Sequence, residues 1–270
     1  MGEWTAIVLA GQRPGETGFA ESMGVSSKAL IPVGGEPMLA RVVRTLLASP
    51  SIGRVIVLAQ SADRLLSQAP AWLRAEARVS TADAGDGIST SIAAIAGGAD
   101  APFPLLVTTA DHALLTEDMV ETFLGRTVDT DVSFALVERG TVEAAYPETR
   151  RTWLKFFDGH YTGANLFGLA NPKARSALEF WARAERDRKK ALKMLSFFGP
   201  TIFLRALTRT ISLDAAAAKV GRALELRLKA IRLPFAEAAI DVDKPSDLAL
   251  AERAVAARRH DAARVVAGAR

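Results

Sequence analysis

Four places in the 270-residue chain combine residue types that handle phosphate or a divalent cation. The first is the stretch from Gly11 to Lys28, which holds glycines at 11, 15, 18 and 24 together with Arg13 and Lys28. Glycine lets backbone N–H groups approach an anion, and the two cations can neutralise phosphate oxygens. The spacing is neither the dinucleotide pattern Gly-x-Gly-x-x-Gly nor the Walker pattern ending Gly-Lys-Ser/Thr, so a plain flexible connection is the competing reading. The second place is Asp111, which either holds a hard cation such as Mg²⁺ or caps a turn; Mg²⁺ uses one or two carboxylates alongside substrate phosphates. His112 beside it reads as structural. The third is Asp241-Val242-Asp243. In an extended segment the period of two puts both carboxylates on one side, where they converge on one charge or cap the helix that Pro245 begins. The fourth is Gly87-Ile88-Ser89-Thr90-Ser91, a glycine followed by hydroxyls. It suits the polar edges of a base or sugar, and an N-cap by Ser89 explains it equally well.

These residues need elements to position them, and the hydrophobic pattern supplies candidates. Trp4 to Ala10, Arg54 to Ala59 and Pro104 to Thr109 are short apolar runs of the kind that form strands buried on both faces. Ala77 to Ser80 and Asp131 to Val137 read as further strands. Between them lie amphipathic helices from Pro37 through Leu47, from 62 to 75 with a break at Pro70, from Ser89 to about Ala96, and after the cap Thr116. Alternating strands and helices imply parallel βαβ units in an open sheet, and such sheets bind ligands at the carboxyl ends of their strands. Gly11, Asp111 and Asp243 all fall at such ends. After residue 140 the pattern changes: strands at Thr152 to Phe157, Gly163 to Leu169, Leu224 to Leu233 and Ala238 to Val242, a helical stretch from Pro172 to Phe198, and a closing helix from Pro245.

Hydrophobic residues make up 49% of the chain and charged residues 24%, which excludes general disorder. The absence of cysteine excludes a disulfide scaffold, thiolate metal sites and a cysteine nucleophile, and three histidines leave little room for a zinc cluster. No apolar run reaches the ~18 residues of a membrane span. The first residues lack the basic start and long apolar stretch of a signal peptide, so a soluble cytoplasmic protein is expected. From Asn171 to Arg232 fifteen Lys and Arg face five Asp and Glu. That basic stretch is either a solvated helical face or a region that meets phosphates.

Taken in order, the segments resemble the MobA-like NTP transferase family, nucleotidyltransferases of the GT-A type. The matching pieces are Ile7-Val8-Leu9-Ala10-Gly11 with Arg13, Ser27-Lys28-Ala29-Leu30-Ile31-Pro32-Val33-Gly34-Gly35-Glu36-Pro37-Met38-Leu39, Gly87-Ile88-Ser89-Thr90-Ser91, Thr109-Ala110-Asp111, and Asp241-Val242-Asp243-Lys244-Pro245-Ser246-Asp247-Leu248. The resemblance covers about residues 4–140 and 160–255 of a chain expected to be one nucleotidyltransferase domain. It implies a Rossmann-like α/β fold, a mixed and mostly parallel sheet flanked by helices, with a basic helical elaboration at about 172–222. The implied activity is transfer of a nucleoside monophosphate from an NTP, with CTP or GTP favoured, to a phosphorylated acceptor with release of pyrophosphate. By the same resemblance Ala10, Gly11 and Arg13 contact the nucleotide, Lys28 its phosphates, and Gly87 and Ser89 its base or ribose, with Arg13 and Lys28 aiding catalysis. Asp111 and Asp243 would bind Mg²⁺.

The sequence departs from the family pattern at the long first loop with Pro14, at Lys244 where Thr is frequent, and over 172–232, which is insertion-like. That insertion is expected to decide the acceptor: a sugar, alditol, cyclitol or lipid head-group phosphate. Thr162 and Asn165 begin the strand where such folds bind the second substrate, and Lys155 lies close by in sequence for its phosphate. The segment 195–209 mixes Phe and Leu with arginines and would either touch a membrane surface or cover the sheet. A molybdopterin-type acceptor and a non-catalytic nucleotide-binding or membrane-associated module are the alternatives. Nucleic acid is not expected, because no reading motif accompanies the basic segment.

Overall fold

The structure is a computed structural model and describes residues 3–12, 18–186 and 210–268. β1 (Trp4–Leu9) is buried on both faces, with Ala6 and Val8 in one core layer and Ile7 in the other. A one-turn helix α1 (Gly18–Ser22) and a 3-10 turn at Lys28–Leu30 interrupt the long first loop. β2 (Pro32–Val33) and β3 (Glu36–Pro37) then form a small hairpin. Its two central residues, Gly34 and Gly35, have φ of 62° and 80°. Positive φ at both positions is what a tight two-residue hairpin turn demands, and glycine meets it without a Cβ clash.

Helix α2 (Met38–Ala48) starts directly after Pro37 and buries Leu39, Val42, Val43 and Leu46. β4 (Ile52–Ala59) repeats the two-faced burial of β1. α3 (Ala62–Ser67) and α4 (Ala71–Ala75) are separated at Pro70, where the missing N–H ends one helix and starts the next. β5 (Val79–Asp83), α5 (Ile88–Ile95), β6 (Leu105–Thr109), α6 (Glu117–Gly125), β7 (Val132–Glu138) and α7 (Arg139–Ala145) follow. The Thr116 hydroxyl accepts from Met119 N and caps α6. The chain then makes the antiparallel pair β8 (Leu154–Phe156) and β9 (Gly159–Leu169), followed by α8 (Arg175–Arg186), α9 (Leu213–Ala223), β10 (Leu228–Leu233) and α10 (Pro245–Gly268).

The eight-stranded sheet runs β10-β7-β9-β6-β1-β4-β5, with β8 added to β9. β6, β1, β4 and β5 are parallel, and β9 is antiparallel to both β6 and β7. This is the mixed, mostly parallel sheet that the resemblance implies. The carboxyl ends of four neighbouring strands therefore share one edge, where Gly11, Gln60, Gly85 and Asp111 lie.

Several expected strands differ: β9 begins at Gly159 and not at Gly163, and β5 spans Val79–Asp83 where Ala77 to Ser80 was expected. Ala238 to Val242 is a 3-10 turn (Ala236–Ala239) followed by extended chain outside the sheet, joined to the end of β6 by the bond from Val242 N to Asp111 O. The last strand begins at Leu228 and not at Leu224, because Leu224 closes α9 and Glu225 turns the chain back with φ 56°. Leu226 N then bonds to Gly221 O. Among the described residues no helix is long and apolar enough to cross a membrane.

Candidate active site

Three segments far apart in sequence meet at the end of β6. The Ser27 side chain accepts from Ala29 N and fixes the turn that presents Lys28, while Ala29, Leu30 and Ile31 anchor that turn in the core. Lys28 Nζ donates to Asp111 Oδ2 at 2.5 Å and to Asp243 Oδ1 at 2.7 Å. One ammonium thus bridges the two carboxylates expected to converge. Burial alone would lower the Lys28 pKa, but Asp111 and Asp243 outweigh it and hold the ammonium above its ordinary value. The Asp111 side chain is 16% exposed and that of Asp243 61%, so the group opens to solvent on the Asp243 side.

Asp111 Oδ1 is buried without a hydrogen-bond partner among the described residues. An orphaned carboxylate oxygen costs free energy that a bound cation would recover. Two convergent carboxylates, one with a spare oxygen and one open to solvent, are a donor set that suits Mg²⁺ completed by phosphate oxygens. Among the described residues no group of three or more His, Asp or Glu side chains is placed to hold a metal.

Asp241 extends the cluster. Asn165 Nδ2 donates to its Oδ1 at 2.7 Å, and Arg151 Nη1 approaches its Oδ2 at 3.4 Å. Burial first, then the charge of Asp111, pushes the Asp241 carboxyl up to about 7, with Arg151 opposing. Asn165 reaches this place through a bulge in β9: the ladder with β7 slips between Phe134 and Leu136, and Asn165 takes φ 45°. Asn tolerates the left-handed region better than most residues, and bulges commonly re-aim a side chain beside a site. His112 is fully buried, and burial lowers its pKa to about 4 despite Asp111, which keeps it neutral at pH 7.

The remaining expected residues divide. Ala10 is buried where β1 ends, and Gly11 lies against Gln60, whose Oε1 accepts from Gln12 N at 3.0 Å. A Cβ on Gly11 would come within 2.9 Å of that oxygen. Gly87 has φ 96° and precedes α5, while the buried Ser89 donates through N and Oγ to Glu185 Oε2 at 3.2 and 2.5 Å. Thr162 is buried in β9. Lys155 lies exposed on β8 opposite His160, and among the described residues it makes no hydrogen bond or ion pair to Lys28, Asp111 or Asp243. Arg13 and the segment 195–209 lie outside the described residues. Arg151 and Glu185 are additions that sequence reasoning missed, since each is placed by a tertiary contact and by no local motif.

The MobA-like NTP transferase domain matches residues 6–207, and the chain belongs to that family. Solved structures agree on the fold. A hypothetical transferase from Thermus thermophilus is 29% identical, with TM-score 0.77 over 91% of this chain and 99% of that one. The 4-diphosphocytidyl-2C-methyl-D-erythritol synthase of Anaerococcus prevotii is 10% identical, with TM-score 0.59 over 94% of this chain and 96% of the other. A CMP:2-keto-3-deoxy-manno-octonic acid synthetase complexed with CTP is 12% identical, with TM-score 0.58 over 95% and 99%. No curated protein matches.

Proposed function

We propose that this member of the nucleotidyltransferase family transfers a nucleoside monophosphate from an NTP to a phosphorylated acceptor and releases pyrophosphate. The observation that carries the reading is the bridge from Lys28 Nζ to Asp111 and Asp243 at the carboxyl end of the parallel strands. An oxygen of the acceptor phosphate attacks the α-phosphorus in line. The bond from the α-phosphorus to the bridging oxygen breaks, and its electron pair leaves with pyrophosphate. The attacking phosphate is already ionised at neutral pH, so no general base is required. The protein's work is to hold two anions in register and to neutralise the charge that gathers between them.

Lys28 meets the nucleotide's phosphates, with Arg13 as its partner. Ala10 and Gly11 lie along the nucleotide, and Gly87 meets its base or ribose, backed by the buried Ser89 that Glu185 holds. Mg²⁺ held by Asp111 and Asp243 would supply neutralisation of phosphate charge. The acceptor is a sugar, alditol, cyclitol or lipid head-group phosphate, met by Asn165 and Thr162, and the reaction runs in the cytoplasm, where NTP is available. Contact of 195–209 with a membrane surface belongs to the same reading and fits the lipid head-group case.

The test is pyrophosphate release from CTP, GTP, UTP and ATP in the presence of Mg²⁺ and pooled phosphorylated metabolites. One nucleotide should turn over well above the others, and Lys28→Met should abolish the signal. Equal background release by both proteins with every nucleotide would contradict the assignment.

A further inference from the structure

Attack on an α-phosphate by a second phosphate brings two polyanions together, so the acceptor needs a cation of its own. Lys155 is the cation expected to meet the acceptor phosphate, but it stands exposed on β8 opposite His160. Arg151 is differently placed. Its side chain is 13% exposed, its Nη1 makes a long 3.4 Å contact with Asp241, and its Nε is buried without a hydrogen-bond partner. Charge-assisted N–H···O bonds normally close to roughly 2.7–2.9 Å, so Asp241 does not use the guanidinium fully. Asp241 itself is fixed by Asn165, and the backbone of β9 bulges into a left-handed conformation to make that bond. Asp241 also feels the charges of Asp111, Asp243 and Lys28, which sets Arg151 beside the reacting group and not at a separate site.

We infer that Arg151 binds the phosphate of the acceptor, with Asp241 and Asn165 as the residues that position its guanidinium; this rests on the transfer reading above. The guanidinium fork matches two phosphate oxygens at once, whereas an ammonium offers one point charge. Arg151 thereby selects phosphate monoesters over unphosphorylated alcohols of the same skeleton. It also holds back one charge of the ester while another oxygen faces the α-phosphorus. Lys28 serves the nucleotide and Arg151 the acceptor, so the two cations divide the two anions.

The experiment titrates inorganic phosphate, and separately glycerol phosphate, into protein saturated with Mg²⁺ and an α,β-methylene analogue of CTP or GTP. Wild type should bind both probes, Arg151→Gln should weaken both by about tenfold or more, and Arg151→Lys should fall between. Nucleotide affinity should stay within about twofold in both variants, and in turnover the loss should appear in the acceptor KM and not in the NTP KM. If Arg151→Gln fails to fold, the Arg151→Lys titration decides alone: unchanged phosphate affinity overturns the inference. It is also overturned if wild type binds neither probe, or if Lys155→Met loses phosphate binding while Arg151→Gln keeps it. Failure of wild type to bind any NTP removes the transfer reading and this inference with it. Normal NTP binding with phosphate affinity indifferent to Arg151 removes this inference alone.

Discussion

Lys28 reaches across 83 positions to Asp111 and 215 to Asp243, and its removal leaves two carboxylates facing each other without a counter-charge. Lys28→Met should lower kcat by about 10²–10³-fold, the scale for losing one preorganised positive group at a phosphate, with the fold intact by circular dichroism. An effect below about threefold would mean that the lysine is only a surface ion pair. Asp111 was legible in the sequence because it follows the apolar run of β6, and strand ends are where open α/β sheets put ligands. Asp243 was legible as one of two carboxylates spaced two apart, and Lys28 as the cation closing a glycine-containing loop after β1. Arg151 was not. It precedes a strand of three residues, in a stretch without periodicity, and its partner Asp241 lies 90 positions on. Glu185 escaped for the same reason: on α8 it is one charge among several, and only the packing of α8 against α5 brings it to Ser89.

At the scale of elements, the hairpin β2–β3 fixes the turn that carries Lys28, and α10 grips it from outside. Glu252 Oε1 accepts from Gly34 N at 2.9 Å, and Arg259 Nη2 donates to Gly34 O at 2.6 Å. A Cβ on Gly34 would lie 2.6 Å from Val255 Cγ1, at a φ of 62°. Gly34→Ala should therefore cost about 1–3 kcal/mol in urea unfolding and also loosen the site, while an unchanged midpoint would show that the hairpin bears no strain. Asp131 does comparable work at the other side of the sheet. Its buried carboxylate takes bonds from Asn171 Nδ2 and from the backbone and guanidinium of Arg227, tying β7, β9 and β10 together. Burial would raise its pKa, but those hydrogen bonds overcome it and hold the carboxyl at about 2, below the ordinary 3.8. Its stabilisation is therefore complete above the ordinary value and fades as pH falls through the folded one. Asp131→Asn should cost about 1–3 kcal/mol at pH 7, and its deficit against wild type should shrink between pH 4 and pH 2 in thermal melts. A deficit that does not change with pH would contradict this. The parallel half of the sheet was readable because its strands alternate with helices and three of them, β1, β4 and β6, are apolar runs buried on both faces. The placement of β9 between β6 and β7 was not, since antiparallel insertion depends on long-range pairing that no local pattern records.

Over the whole molecule, four parallel strands end on one edge, and the returning segment 240–243 closes that edge against β6. The fold therefore gathers charge at one mouth: Lys28 and Arg151 among Asp111, Asp241 and Asp243. A bound divalent cation would turn that mouth from net negative to net positive and ready it for two phosphates. Substrate should accordingly stabilise the protein, with the preferred NTP and Mg²⁺ together raising Tm more than either alone and chelation reversing the gain. Equal shifts from all four nucleotides would argue against a specific site. Whether Asp111 and Asp243 share one cation opposite Lys28 is decided by Mn²⁺ titration followed by electron paramagnetic resonance in the presence of NTP. One Mn²⁺ should bind per chain, with Asp111→Asn and Asp243→Asn each weakening it by about tenfold or more and the double variant losing little beyond the worse single. Mn²⁺ binding that is indifferent to either substitution would contradict it.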